Sequence, residues 1–321
     1  MRQRHIQTDR LNQHILEAGS GPLVLLVHGF PELAVSWRGQ VEALAGAGFR
    51  AVAPDMRGYG GTDRPPGTGA YGVLDLVGDM VDLVRALGEA RCVVVGHDWG
   101  AAVAWHCALT RPDLFTAVAA LSVPFQPRRP KGPPTAAMAA LSKRAGLGDL
   151  YISRFQAADA HEAFDADPRT ALRKMFHAYD GATPDDRQST GFIPEGRNFL
   201  STVPDDAALP PWMGEAHFED YVAAFAAGGF RGPLDWYRCL DLNWTQTAFL
   251  QDARIRVPAA FMVGKRDPVR RYAGAHEAAM KDWIPDLRVQ RVLPGAGHWI
   301  QQERPEEVNG FLLEFLGGLA D

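Results

Sequence analysis

Cys92-Val93-Val94-Val95-Gly96-His97-Asp98-Trp99-Gly100 is the stretch on which the fold turns. A short apolar run ends at Gly96, and a helix-like segment from Ala101 to Leu109 follows Gly100. A small-x-nucleophile-x-small pattern between a strand and a helix is a nucleophile elbow, a sharp turn that presents one reactive side chain. Most such elbows carry Ser at the centre, and this one carries Asp98. That change moves the expected chemistry from acyl transfer toward attack on an alkyl carbon.

Outward from the elbow, the chain alternates between strand-like and helix-like segments. Leu23 to Val27, Arg50 to Asp55 and Thr116 to Val123 are further apolar runs, and Leu74 to Leu87 carries apolar residues at helical spacing. Fully apolar strands separated by helices predict a parallel sheet covered on both faces. His5 to Thr8 and Leu11 to Leu16 alternate more and predict an antiparallel entry hairpin. The pattern breaks at Pro124, and Pro124 to Pro134 reads as a linker. From there to about Leu250 the chain is helical or irregular, rich in aromatics and without a convincing buried strand. Alternation resumes with Val257 to Gly264 and Leu287 to Leu293, and a last helix is expected from Pro305 to Leu316. The expected fold class is α/β: a mostly parallel twisted sheet with helices on both faces and an inserted, mainly helical cap. The expected core spans 1–127 and 250–321, and the cap 128–249.

The 321 residues, 46% hydrophobic, suffice for a sizeable core. With a net charge of −5 and no long basic run, nucleic acid and anionic membrane are not expected partners. Three scattered cysteines show neither a disulfide frame nor zinc spacing and suit a reducing compartment. No secretory signal is read at the N-terminus, and no apolar stretch approaches the ~18 residues of a membrane span. A cytoplasmic protein is expected.

In an open parallel sheet, functional groups gather on loops at the carboxyl ends of strands. Asp98, Asp267 in Gly264-Lys265-Arg266-Asp267-Pro268, and His298 in Gly295-Ala296-Gly297-His298-Trp299 all lie at such ends. Alone, Asp267 reads as a turn residue or helix cap and His298 as a loop residue. Asp98 resists a bland reading, because a glycine-flanked turn needs no carboxylate. The order nucleophile, acid, His is that of α/β-hydrolases. The oxyanion hole is expected from the backbone N–H of Trp99 and of Phe30, in His28-Gly29-Phe30-Pro31, where Phe30-Pro31 is a candidate cis bond. His28 is expected to bond loop backbone, without a catalytic role.

A carboxylate with a pKa near ~4 is ionised at neutral pH and needs no base to attack a saturated carbon. The product is an alkyl ester, whose carbonyl water can attack with His298 as base and Asp267 orienting its ring. A Ser nucleophile would form an ether that cannot be hydrolysed this way. Epoxides and alkyl halides are therefore the expected electrophiles. An epoxide oxygen leaves as an alkoxide and wants an acid nearby. A tyrosine, with a pKa near ~10, can supply it at neutral pH.

The chain resembles the soluble epoxide hydrolase family of α/β-hydrolases along nearly its whole length. The resemblance rests on His28-Gly29-Phe30-Pro31-Glu32 with Ser36-Trp37-Arg38, Asp55-Met56-Arg57-Gly58-Tyr59-Gly60, the Asp98 elbow, Gly229-Phe230-Arg231-Gly232-Pro233-Leu234-Asp235-Trp236-Tyr237-Arg238, and Gly297-His298-Trp299. The elbow is shared with haloalkane dehalogenases, whereas the Gly229 block is more specific to epoxide hydrolases. The resemblance implies two cap tyrosines that hold and protonate the epoxide oxygen. Tyr237 matches the second, and Tyr151 matches the first over the shorter run Asp149 to Gln156, with Tyr179 and Tyr221 as substitutes. Mammalian members carry an extra phosphatase domain whose activity is not implied here. The Arg clamp of fluoroacetate dehalogenases is missing, and Phe30 stands where some dehalogenases place a halide-binding Asn.

The resulting expectation is an epoxide hydrolase that forms a vicinal diol through an ester on Asp98. Catalytic residues are Asp98, His298, Asp267, Tyr151 and Tyr237, with Phe30 and Trp99 as oxyanion hole. No cofactor or metal is expected. The partners are a small apolar epoxide and water, and the chain acts as a monomer or homodimer. The alternatives are a haloalkane dehalogenase with the same triad and a non-catalytic ligand-binding relative.

Overall fold

The computed structural model describes residues 1–128 and 132–319. The middle of the expected linker, 129–131, lies outside the described residues. The chain opens with β1 (Arg2–Gln7), β2 (Asn12–Ala18) and β3 (Leu23–Val27). Then come α1 (Arg38–Gly46), β4 (Arg50–Pro54), α2 (Val73–Ala86), β5 (Cys92–His97), α3 (Trp99–Thr110) and β6 (Phe115–Leu121). The segment that follows carries α4 (Pro134–Ala145), β7 (Asp149–Leu150), α5 (Tyr151–Arg154), α6 (Glu162–Asp165), α7 (Pro168–Tyr179) and β8 (Phe192–Ile193). It continues through α8 (Glu215–Gly228), α9 (Arg231–Arg238) and α10 (Leu240–Gln246). The chain then returns to the sheet with β9 (Ala259–Gly264), α11 (Arg270–Ala278), α12 (Met280–Trp283), β10 (Leu287–Leu293), α13 (Ile300–Glu303) and α14 (Pro305–Gly317).

Eight strands form one sheet in the order β1-β2-β4-β3-β5-β6-β9-β10. β1 and β2 are the antiparallel hairpin, and β2 also meets β4 antiparallel. From β4 to β10 every pairing is parallel. Parallel strands need covering on both faces, and β3 and β9 are buried at every position. Side chains alternate between faces along a strand. Leu25, Val27, Val94 and Phe261 accordingly join one core with α2 and α3, and Val24, Leu26, Val95 and Met262 join another with α1 and α14. The first core runs on into Phe164, Phe176, Phe218, Tyr221 and Trp236 of the helical segment. Those aromatics thus pack on the same side of the sheet as the elbow helix.

α3 is apolar nearly all round, as a helix covered by both the sheet and the helical segment must be. α14 begins with Pro305 and carries Glu306 and Glu307 in its first turn, a favourable start for the helix dipole. One feature of the helical segment differs from the sequence reading. β7 and β8 form a small antiparallel pair, with Leu150 opposite Phe192. Two-residue strands leave no periodicity to read, so this pair was illegible, yet it seats Tyr151 directly after β7.

Candidate active site

The elbow is a strained turn built around close backbone approach. Asp98 has φ 54° and ψ −120°, a positive φ that costs a non-glycine residue about 1–3 kcal/mol. A Cβ on Gly96 would lie 2.1 Å from the Gly100 carbonyl oxygen, and one on Gly100 would lie 2.0 Å from that of Val27. The flanking glycines are therefore required by contact. The same holds for Gly29, whose Cβ would meet Asp98 Oδ1 at 2.4 Å.

Three strand ends converge here. Asp98 follows β5, Asp267 follows β9, and His298 lies in the loop after β10. The Phe30 N–H donates to Asp98 Oδ1 at 2.9 Å, across a turn whose Phe30-Pro31 bond is cis. Asp98 Oδ2 lies 3.5 Å from His298 Nε2. On the far side of the ring, His298 Nδ1 is 3.1 Å from Asp267 Oδ2 and 3.2 Å from Oδ1. Asp267 accepts in turn from the Val269 N–H at 2.9 Å. The Phe30 half of the expected oxyanion pair is thus a formed hydrogen bond. Trp99 stands at the first residue of α3.

Charge follows from these contacts. Burial pushes the Asp98 carboxyl up, but His298, His97 and the Phe30 N–H pull it below its ordinary value. Burial likewise disfavours a charged His298, but Asp267 and Asp98 outweigh it and raise the imidazole pKa well above 6.5. The resting site is therefore an imidazolium between two carboxylates.

Tyr151 and Tyr237 come from α5 and α9, and both line the cavity over Asp98. Their ring centroids are 6.2 Å apart. Tyr237 packs edge-on against Trp99 at 5.1 Å, Phe155 at 5.1 Å and Phe30 at 5.4 Å. Burial, with nearby Asp98 adding to it, raises the pKa of both phenols, so both are protonated donors at neutral pH. Of the substitutes, Tyr179 lies 5.8 Å from the His298 ring and lines a smaller cavity with it, whereas the Tyr221 hydroxyl bonds Gln302 at 3.3 Å.

The larger cavity holds about 1410 Å³ of empty space including its open mouth. Asp98, Trp99, Tyr151 and Tyr237 line it together with the apolar side chains of Trp105, Phe125, Met138 and Leu240. The smaller one, on the His298 side, shares Asp98, Tyr151, Tyr237 and Val269 with it. Among the described residues, no group of three or more His, Cys, Asp or Glu side chains is placed to hold a metal ion.

Behind the site lies a polar layer that sequence reasoning did not assign. Glu32 Oε2 is 2.7 Å from His97 Nδ1, and His97 Nε2 is 2.7 Å from the His298 carbonyl oxygen. Gln301 and Gln302 both donate to Glu32 Oε1. Glu32 and His97 lie within the Phe30 and Asp98 motifs, but only tertiary structure pairs them. His28 accepts from the Met56 N–H through Nε2 and donates from Nδ1 to the Gly29 carbonyl, so its contacts are with loop backbone. The His298 loop is also tied to the helical segment. His298 N–H donates to the Tyr179 carbonyl at 2.9 Å, and Glu303 accepts from the N–H groups of Gly181, Gly297 and Trp299. Tyr272 is a further unassigned lining residue, 3.4 Å from Tyr151 between hydroxyls. Its place five residues beyond Asp267 was the signal available for it.

The sequence profile of the α/β hydrolase fold family matches residues 22–305. The chain is 42% identical to epoxide hydrolase A of Mycobacterium tuberculosis, over 99% of this chain and 98% of that protein. Among solved structures, an epoxide hydrolase from an endophytic Streptomyces superposes with a TM-score of 0.95 at 40% identity, covering 99% of this chain and 96% of that one. Epoxide hydrolase A of Mycobacterium thermoresistibile gives a TM-score of 0.91 at 40% identity, covering 99% and 98%.

Proposed function

The chain belongs to the α/β hydrolase fold family and is an epoxide hydrolase, and we propose that it works through a covalent ester on Asp98. Asp98 Oδ2, the oxygen facing His298, attacks a ring carbon of the epoxide. The C–O bond breaks, and Tyr151 and Tyr237 receive the oxygen and protonate it. Neutral buried phenols suit that task, because they donate without placing a charge beside Asp98.

Esterification removes the charge of Asp98. His298 then keeps only Asp267 as its anionic partner and gives up a proton more readily. As a free base it takes a proton from water, and the hydroxide attacks Cγ of the ester. Asp98 Oδ1 becomes the oxyanion, held by the N–H groups of Phe30 and Trp99. Collapse releases the diol and restores the carboxylate–imidazolium pair. The observation that carries this reading is Asp98 with one oxygen on a backbone donor and the other 3.5 Å from His298.

The remaining assignments rest on the same geometry. The cap is assigned to 128–249 and the core to 1–127 and 250–321, with 129–131 and 320–321 outside the described residues. The cavity walls favour a small apolar epoxide. All proposed site residues come from one chain, so a monomer or a homodimer can act. A cytoplasmic location is supported by three buried free cysteines, and no helix among the described residues is long and apolar enough to cross a membrane.

The test uses a styrene-type epoxide. In His298→Gln, intact-mass measurement shows a substrate adduct, and peptide mapping places it on Asp98. Asp98→Ala shows neither adduct nor diol. Full diol formation by Asp98→Ala would falsify the covalent route.

A further inference from the structure

Two tyrosines suffice to hold an epoxide oxygen, yet a third hydroxyl stands behind one of them. Tyr272 Oη lies 3.4 Å from Tyr151 Oη, and either can donate in the resting site. The two reach that point from opposite sides. Tyr151 belongs to the helical segment, whereas Tyr272 sits on α11, five residues beyond Asp267. α11 is braced by a paired contact of Arg270 with Glu277, at 2.8 Å to each carboxylate oxygen. The Gly191 carbonyl accepts from the Tyr151 N–H at 2.8 Å, and a Cβ on Gly191 would stand 3.8 Å from both tyrosine rings. One short segment thus seats both rings. Tyr272 also lines the larger cavity together with Asp98, Tyr151 and Tyr237.

We propose that Tyr272 is a positioning residue and proton relay for Tyr151, donating its hydroxyl hydrogen to Tyr151 Oη as Tyr151 protonates the opening epoxide. The inference rests on Tyr151 being a proton donor to the epoxide oxygen. When Tyr151 points its hydrogen at substrate, it can only accept from Tyr272. The resting separation is long for a hydroxyl pair, whose usual distance is about 2.7–2.8 Å, and such bonds tighten once substrate is bound.

The proton count closes. The Asp98 Oδ2–carbon bond forms as the carbon–oxygen bond breaks, and the electron pair stays on the oxygen. That oxygen takes the Tyr151 hydrogen, and Tyr151 takes the Tyr272 hydrogen. Tyr272 is reprotonated from water in the cavity, and the matching proton is the one His298 releases once Asp98 has lost its charge. A phenolate on either Tyr151 or Tyr272 is opposed by burial and by nearby Asp267, so the relay matters because it passes the proton deficit on to cavity water and leaves neither phenol charged.

The test is Tyr272→Phe, which keeps the ring and removes only the hydroxyl. Ester formation, followed by rapid quench and intact mass, slows about tenfold, the factor expected for one hydrogen bond to a developing charge. Ester hydrolysis keeps its rate. An epoxide whose opened oxygen is less basic, such as one with a neighbouring trifluoromethyl group, loses less. Added to Tyr151→Phe, the substitution costs nothing further, because it acts only through Tyr151. Ester formation within twofold of the unsubstituted enzyme overturns the relay. So does an equal loss with both epoxides, a parallel fall in hydrolysis, or an additive double variant. Normal ester formation in Tyr151→Phe instead sinks the assignment of Tyr151 itself.

Discussion

The strand-end half of the site and the helical half hold their side chains by different forces. On the sheet side, hydrogen bonds set each reactive atom: Phe30 N–H on Asp98 Oδ1, Asp267 on His298 Nδ1, and Val269 N–H on Asp267. On the helical side, ring packing sets Tyr237, which touches Trp99, Phe155 and Phe30 edge-on. Charged groups in a buried site need partners in place to remain charged. Neutral phenols need only an apolar seat, and their hydroxyls stay available to a ligand. In the proposed reaction this difference separates the steps in space: the sheet half would make and break the ester, and the helical half would handle the oxygen that leaves.

This division has a kinetic signature. The largest expected effect belongs to the sheet half, where His298→Gln should halt the reaction after ester formation and leave Asp98 modified. Tyr237→Phe should do the reverse. Ester formation falls by about 10²-fold, the lower end of what general acid catalysis contributes, and no ester accumulates. Ester accumulation in Tyr237→Phe would break the division, because that tyrosine would then serve hydrolysis. Rapid-quench intact mass on both variants reads the two outcomes side by side.

The two halves also differed in how much the sequence disclosed. The middle of the sheet was legible because its strands are buried on both faces. Runs such as Leu23 to Val27 then carry no polar residue to confuse the reading, and β3 is buried throughout. The convergence of Asp98, Asp267 and His298 was legible because each follows a strand whose end the sequence marks. The helical segment has no such period. Its order comes from aromatic contacts far apart in the chain, such as Phe176 with Trp299 at 5.0 Å. Tyr237 was proposed there through a long matching block and Tyr151 through a short one. The Glu32–His97 pair stayed hidden because its members are 65 positions apart and neither alone names its partner. Tyr272 stayed hidden because a lone tyrosine on a short helix reads as packing.

The junction between the halves offers a third, smaller effect. A Cβ on Gly181 would lie 2.4 Å from the Gly297 nitrogen and 2.5 Å from the Gly295 carbonyl oxygen. Both are backbone atoms, so a neighbouring side chain cannot simply turn away. Gly181→Ala should cost about 1–3 kcal/mol, the usual range for overpacking. A thermal melt reads this loss. Because the displaced loop carries His298, hydrolysis should slow more than ester formation. Equal slowing of both steps would show that the loop positions more than the base.

The smallest effect is on stability and sharpens the claim that charge belongs to the sheet half. Folding raises the His298 pKa above its ordinary 6.5, so its ion pairs stabilise the fold fully below that pH. The contribution declines as pH climbs from 6.5 toward the higher folded value, and it vanishes above it. Asp98 runs the other way: its folded pKa lies below 3.8, so its share is complete above 3.8 and lost as pH falls through the folded value. The difference in Tm between the unsubstituted protein and His298→Gln should therefore be greatest between 3.8 and 6.5 and shrink as pH rises beyond. Tyr237→Phe removes no titrating charge in this range, so its Tm difference should stay flat with pH. A flat His298→Gln profile would mean that the imidazole is neutral at rest and that no ion pair forms in the strand-end half.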